Sequence, residues 1–260
     1  MNTLLDMLTD LQLREVFHFC FLERLLKLTS PAQYALKGGV NLRFFFHSPR
    51  YSEDMDLDVL AGGVGTLKKN GYKILGDAGF ARSLRVYGID TLEINDPGKA
   101  KHTEVTQRFR VGLITASGQR LPTKVEFSRR PAPTSTLQTE LIDPEIARQY
   151  RKLSFRVQHY PGELAARQKI AALYGRATTQ ARDVFDLGLL LASGYITRQD
   201  VQVAFTAQEQ TNAAQCVMSL GFDAFAGQVL EFLPEHEREH YASPAAWAQL
   251  QESVVALFGA

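Results

Sequence analysis

Aspartates at positions 54, 56 and 58 alternate with Met55, Leu57 and Val59. On an extended strand every second side chain points to the same face. Three carboxylates therefore line one side, and three apolar residues enter a core on the other. Like charges in a row repel and call for a cation or a proton between them. Hard carboxylate oxygens suit Mg²⁺. The pair Gly38-Gly39 lies fifteen residues upstream of Asp54. Such a pair lets backbone N–H groups at a helix start face a phosphate chain. Together these features suggest metal-assisted transfer of a nucleotide. A calcium-binding EF-hand loop does not fit the same segment. Counting from Asp54, Val59 falls where glycine is required, and Gly65 falls where the bidentate glutamate belongs.

These residues need elements to position them. Residues 2–28 read as helical, with Leu4, Leu8 and Leu11 at helical spacing and a Leu- and Phe-rich stretch after them. A turn at Ser30-Pro31 leads to a short strand at Tyr34-Ala35-Leu36, which delivers the chain to the glycines. Residues 40–46 read as a buried helix that stops near Pro49. The acidic strand spans roughly residues 52–60, and Gly62-Gly63 and Gly65 mark a loop after it.

The middle third reads as β-rich. Val105, Phe109, Val111 and Leu113 share a period-2 face, and Gly118 marks a hairpin turn. In the next strand Val125 and Phe127 face one way, while Lys124, Glu126 and Ser128 face the other; Pro131 and Pro133 then break regular structure. From about residue 160 the pattern is helical. Helices are expected over 163–174 and 180–192, after Thr197 as a cap, and after the cap pair Ser243-Pro244. The chain divides into residues 1–155, a mixed α/β core with N-terminal helices, and residues 156–260, an all-helical region.

The whole chain has 260 residues, 45% hydrophobic, and a formal net charge of +1. That charge excludes the global basic footprint of a dedicated nucleic-acid binder, so any such contact uses a local patch. Arg129-Arg130 is one weak candidate. The two cysteines, Cys20 and Cys216, match no zinc spacing and read as buried thiols of a reducing cytoplasm. The six histidines show no metal-ligand spacing. No signal peptide or membrane span is recognisable.

Four blocks carry a resemblance. They are Leu36-Lys37-Gly38-Gly39-Val40-Asn41-Leu42-Arg43 followed by Arg50-Tyr51-Ser52-Glu53-Asp54-Met55-Asp56-Leu57; Lys124-Val125-Glu126-Phe127-Ser128; residues 163–169 followed by Ala172-Leu173; and Arg182-Asp183-Val184-Phe185-Asp186-Leu187. In this order the set resembles the AbiEii/AbiGii-type toxin nucleotidyltransferases, within the DNA polymerase beta-like superfamily. The resemblance implies an α+β fold, with a small mixed sheet flanked by helices and a helical C-terminal region. It implies transfer of a nucleoside monophosphate from a nucleoside triphosphate (NTP) to an acceptor. RNA, and for some members the 3′ end of transfer RNA, is the implied acceptor. It also implies the toxin half of a type IV toxin–antitoxin or abortive-infection system, with a cognate antitoxin as partner.

Residue roles follow from the match. Asp54 and Asp56 are expected to bind two Mg²⁺ ions, about 3.5–4 Å apart in such sites. Glu126 is either a third ligand or a half-exposed residue paired with an arginine. Asp58 either touches metal or plays a supporting role. Gly38 and Gly39 approach the phosphates. Ser52 bonds a phosphate or steers the acidic pair. Arg50 neutralises the triphosphate or pairs with Glu53. Arg43 serves structure, and Lys37 reads as exposed. Lys169 is expected to meet the triphosphate or leaving group as a flexible point charge. Asp183 orients Lys169 or a basic group of the nucleotide; Asp186 does the same or forms a salt bridge with Arg182, and its role reads as structural. Lys169 and Asp183 would reach the active-site cleft from the helical region. Two rivals keep less of this: the same fold acting on a protein or small molecule such as an aminoglycoside, and a non-catalytic member that binds nucleotide or a partner.

Overall fold

The alternation over residues 54–59 and 120–128 becomes two neighbouring strands in a computed structural model of the chain, which describes residues 8–96, 103–129 and 137–259. Leu4, Arg130, Pro131 and Pro133 lie outside these residues. The chain divides into two units. One comprises Met1–Phe45 with Tyr51–Tyr160, the other Phe46–Arg50 with Pro161–Ala260.

Among the described residues the first unit is built on seven strands: β1 (Tyr34–Lys37), β2 (Asp54–Val59), β3 (Ile89–Ile94), β4 (Thr106–Thr115), β5 (Arg120–Ser128), β6 (Gln138–Leu141) and β7 (Arg156–His159). Their spatial order is β3-β4-β5-β2-β1-β7-β6. The pairs β2–β5 and β1–β7 are parallel and the rest antiparallel, so the sheet is mixed. The helices that accompany it are α1 (Asp10–Leu28), α2 (Gly38–Phe45), α3 (Val64–Leu75), α4 (Ala78–Arg85) and α5 (Pro144–Gln149).

Period-2 alternation decides which face is buried. Met55, Leu57, Phe109, Leu113, Val125 and Phe127 are fully buried and pack with Phe17, Phe21 and Leu22 of α1 in one core. The helix starts where Thr9 and Gln12 form a reciprocal capping box. Its buried His18 is 2.8 Å from the Thr123 hydroxyl, which itself donates to the Glu53 carbonyl at 2.7 Å. His18 therefore donates through Nε2, and α1 is tied to β5 and to the entry of the acidic strand.

Residues 64–85, where the sequence reading places only a loop at Gly62-Gly63 and Gly65, fold as α3 and α4. Gly65 and Gly71 lower helix propensity here, but Gly71 is required by packing. A Cβ on it would lie 2.4 Å from the Phe109 ring. The strands β6 and β7 have four residues each, too few for a legible period. Val105 precedes β4 and is 59% exposed, so it does not share the core face expected of it.

The second unit is helical: α6 (Gly162–Gly175), α7 (Ala181–Ala192), α8 (Arg198–Ala204), α9 (Ala207–Met218), α10 (Phe222–Gln228), α11 (Glu235–Tyr241) and α12 (Pro244–Val255). Capping boxes at Thr197 and Thr206 and the Ser243 cap set three of the helix starts. Phe225 stacks on Trp247 with ring centroids 4.5 Å apart. Gly188 lets α12 approach α7, because a Cβ there would meet Leu250 at 2.4 Å. The segment 46–50 belongs to this unit through Phe46, edge-on to Tyr195, and Arg50. Among the described residues, no helix is long and apolar enough to cross a membrane. Cys20 is buried, whereas Cys216 is partly exposed.

Candidate active site

Strand alternation puts Asp54, Asp56 and Asp58 on the face opposite Met55 and Leu57. Register brings partners of both signs to them. Asp56 stands between Lys37 of β1 and Glu126 of β5, and Asp54 stands beside Lys124. The Lys124 ammonium is 3.0 Å from Asp54 and 3.9 Å from Glu126, while Arg108 of β4 holds Glu126 at 2.6 Å. Glu126 thus carries the arginine partner considered for it and also lies in register with the acidic pair.

Asp56 differs from its neighbours. Among the described residues its carboxylate forms no hydrogen bond or ion pair. Burial pushes its carboxyl up from the ordinary range, Lys124 and Lys37 pull it down, and Glu126 and Asp54 raise it further. This carboxylate lacks a counter-charge of its own.

Gly38 opens α2 beside it. Its φ is +69°, the left-handed region that suits glycine, and a Cβ on it would meet Asp56 Oδ2 at 3.1 Å. Gly39 follows within the helix. Asn41, fully buried, fixes α2 by donating to the Tyr160 carbonyl at 2.9 Å, and its Oδ1 lies 3.0 Å from His159 Nδ1. The Ser52 hydroxyl donates to the Asp54 carbonyl at 2.8 Å, which shapes the entry to β2.

Asp58 is 1% exposed. Lys37 donates to one of its oxygens, and the Tyr160 hydroxyl donates to the other at 2.7 Å. Lys37 is therefore not exposed: a lysine opposite a row of carboxylates is drawn in by charge. Arg43 is structural, bonding Glu15 at 2.6 Å and lying over the Tyr51 ring.

The second unit has its own charged cluster. Asp183 and Asp186, one turn apart on α7, are both fully buried. Lys169 of α6 reaches both, at 2.8 and 2.6 Å. Arg176 approaches the other oxygen of Asp183 at 3.2 Å. Arg50 forks onto Asp186, with Nη2 2.9 Å from Oδ2 and Nε 3.1 Å from Oδ1. Burial opposes ionisation of Asp186, but Arg50 and Lys169 hold its carboxyl at about 2. Burial works against the Lys169 ammonium, and Asp183 and Asp186 raise its proton affinity above the usual lysine range.

For Asp186 the contact with Lys169 holds, and for Arg50 the partner is new. Among the described residues Arg182 does not pair with Asp186, whose oxygens are taken by Arg50 and Lys169. Arg50 is 3% exposed and spent on that carboxylate, so its charge is not available to a triphosphate. The partner lies 136 residues away, a separation no local pattern reveals.

The donors fit a hard divalent cation in kind. Asp54 and Asp56 offer carboxylate oxygens on one face, and Asp56 lacks a counter-charge of its own. Among the described residues no three His, Cys, Asp or Glu side chains converge into a ready-made cage. Mg²⁺ does not require one, since it usually takes one or two carboxylates and completes its shell with water and substrate phosphates.

Known proteins resemble the chain in family profile and in fold. The profile of a family described as nucleotidyl transferase AbiEii toxin, type IV toxin–antitoxin system, matches residues 20–257. No match was found among curated proteins. Among solved structures, the chain is similar to MenT4, a nucleotidyltransferase toxin from Mycobacterium tuberculosis. That pair shares 19% identity and a TM-score of 0.61, with 95% of this chain and 84% of that chain covered. It is also similar to JHP933 from Helicobacter pylori, at 15% identity and a TM-score of 0.51, with 94% and 93% covered. At these identities the structural likeness is one of fold. The match of the family profile over most of the chain goes further: the chain belongs to the AbiEii family of nucleotidyltransferase toxins of type IV toxin–antitoxin systems.

Proposed function

We propose that the chain transfers a nucleoside monophosphate from an NTP to the 3′ end of an RNA, with transfer RNA as the foremost acceptor, in a Mg²⁺-dependent reaction. The observation that carries this reading is Asp56: partly buried, without a hydrogen bond or ion pair among the described residues, and placed where any Cβ on the left-handed Gly38 would crowd it. Asp54 and Asp56 would hold the metal, with Glu126 joining once it leaves Arg108. Bound there, Mg²⁺ would supply Lewis-acid polarisation and charge neutralisation. Asp58 is committed to Lys37 and Tyr160 and positions them instead.

In the transfer the acceptor hydroxyl oxygen bonds to the α-phosphorus and its proton passes to solvent water. The bond from that phosphorus to the bridging oxygen breaks, and pyrophosphate leaves. Backbone N–H groups at Gly38 and Gly39 would bind the triphosphate at the start of α2. Lys169 is held by Asp183 and Asp186 within the helical unit, as Arg50 is by Asp186. The carboxylates of the acidic strand and these N–H groups contribute position and charge, the main needs of phosphoryl transfer. A cognate antitoxin would restrain the activity in the cell.

The test is incubation with each α-labelled NTP, Mg²⁺ and total RNA, followed by mass spectrometry of RNA and protein. Label on RNA 3′ ends supports the reading. Label on protein or a small molecule alone replaces the acceptor, and no label anywhere with any triphosphate removes the reaction.

A further inference from the structure

The face that carries the acidic pair continues outward across β5 and β4, and its outer part is basic. One row runs Asp54, Lys124, Arg110; the next runs Lys37, Asp56, Glu126, Arg108. Lys124 and Arg108 are held by Asp54 and Glu126. Arg110 is not held. It is exposed, and among the described residues its guanidinium has no hydrogen bond or ion pair. It lies two strand spacings from Asp54, roughly 10 Å. In a chain with net charge +1 this is a local cationic track beginning at the carboxylates.

The two flanks of the acidic strand are chemically different. On the β1 side lie Gly38 and the start of α2, suited to a triphosphate. On the β5–β4 side lie Lys124, Arg108 and Arg110. Displacement at phosphorus puts the attacking and leaving oxygens roughly in line on opposite sides. A triphosphate that leaves toward Gly38 requires the attacking hydroxyl to arrive from the other flank. There it meets side chains that bind phosphate: arginine forks and a lysine point charge.

We propose that Arg110, with Lys124 and Arg108 behind it, seats the phosphodiester next to the acceptor's 3′-hydroxyl. The site would take a single-stranded RNA end, and it rests on the RNA-acceptor reading above. Arg110 gives the first contact. Lys124 and Arg108 become available to phosphate as their carboxylates turn to other cations.

The experiment measures fluorescence anisotropy of a short single-stranded RNA with a free 3′-hydroxyl, in metal-free buffer over rising KCl. It compares the full chain with Arg110→Ala, Arg110→Glu and Arg110→Lys. Arg110→Ala is expected to weaken binding roughly three- to ten-fold and to reduce the salt slope by about 0.7, the value for one phosphate contact on a single strand. Arg110→Lys keeps most of the slope, and Arg110→Glu binds weakest. The KM for NTP in the transfer assay stays unchanged in all three. Equal affinity and slope in wild type and Arg110→Ala would overturn the inference, as would a rise in KM for NTP matching the loss of RNA affinity. A wild-type chain that binds no RNA removes the RNA-acceptor reading and this site with it. Wild-type binding that Arg110 does not affect removes this site alone.

Discussion

The Asp56 carboxylate lies 3.1 Å from the place a Cβ on Gly38 would occupy, and Gly38 has a φ of +69°. One backbone position thus meets two demands: a left-handed turn into α2 and close approach to the least compensated carboxylate of the acidic strand. Gly38→Ala strains the turn by about 1–2 kcal/mol and pushes on Asp56. Transfer activity should fall much further than the loss of folded protein explains. Thermal melts alongside transfer rates at saturating NTP check this, and activity that tracks only the folded fraction would break the link.

Asp54 and Asp58 share a face of β2 but should separate by phenotype. Asp54→Asn should raise the Mg²⁺ concentration for half-maximal transfer by about ten-fold or more, the range seen when metal-site support is lost. Asp58→Asn should leave that concentration nearly unchanged and lower the melting temperature, because Asp58 is bonded to Lys37 and Tyr160. Titration of Mg²⁺ in both variants decides it. A matching rise in Asp58→Asn would make Asp58 a ligand.

Arg50 and Asp186 form a buried bidentate pair. Removing one partner of such a pair strands a charge and costs about 3–5 kcal/mol. Arg50→Met should show a loss of that size in urea denaturation. The KM for NTP of the protein that remains folded should be unchanged. A raised KM without loss of stability would return Arg50 to the triphosphate.

Buried His18 links α1 to Thr123 and the entry of β2. Burial, then Arg14, lowers its pKa to about 3 from 6.5. The unfolded chain therefore binds a proton below pH 6.5 that the folded chain refuses until about pH 3. Stability from this group is complete above pH 6.5 and is lost as the pH falls through that window, at up to about 1.4 kcal/mol per unit. His18→Gln should flatten the fall in stability between pH 6 and 4 relative to wild type. Equal slopes in urea melts would show that His18 takes up its proton while folded.

Much of the fold was legible because its signals are local. The alternation around Asp56 and Phe127, and the caps at Thr197 and Ser243, each sit within a few residues and became the elements expected. α3 and α4 lie outside the elements expected, although Leu67, Ile74 and Leu75, then Phe80 and Leu84, recur at helical spacing; Gly71 in α3 answers to the passage of Phe109. In the sites, Asp54 and Asp56 could be read from spacing, but their surroundings could not. That Lys37 turns inward to Asp58, that Tyr160 completes the pair, and that Arg50 belongs to Asp186 depend on contacts 21, 102 and 136 residues apart. The pairing of Glu126 with an arginine and of Asp183 with Lys169 was among the alternatives read from the sequence.

The central claim is that Asp56 holds the divalent metal for nucleotide transfer, and Asp56→Asn tests it most directly. The measurement is the initial rate of label transfer from α-labelled NTP to RNA at saturating Mg²⁺, with circular dichroism and a thermal melt on the same sample. The variant should keep its fold, and its rate should fall by at least about 10³-fold, the scale for losing one strong electrostatic contact in a transition state. A folded Asp56→Asn that transfers label at the wild-type rate would contradict the account.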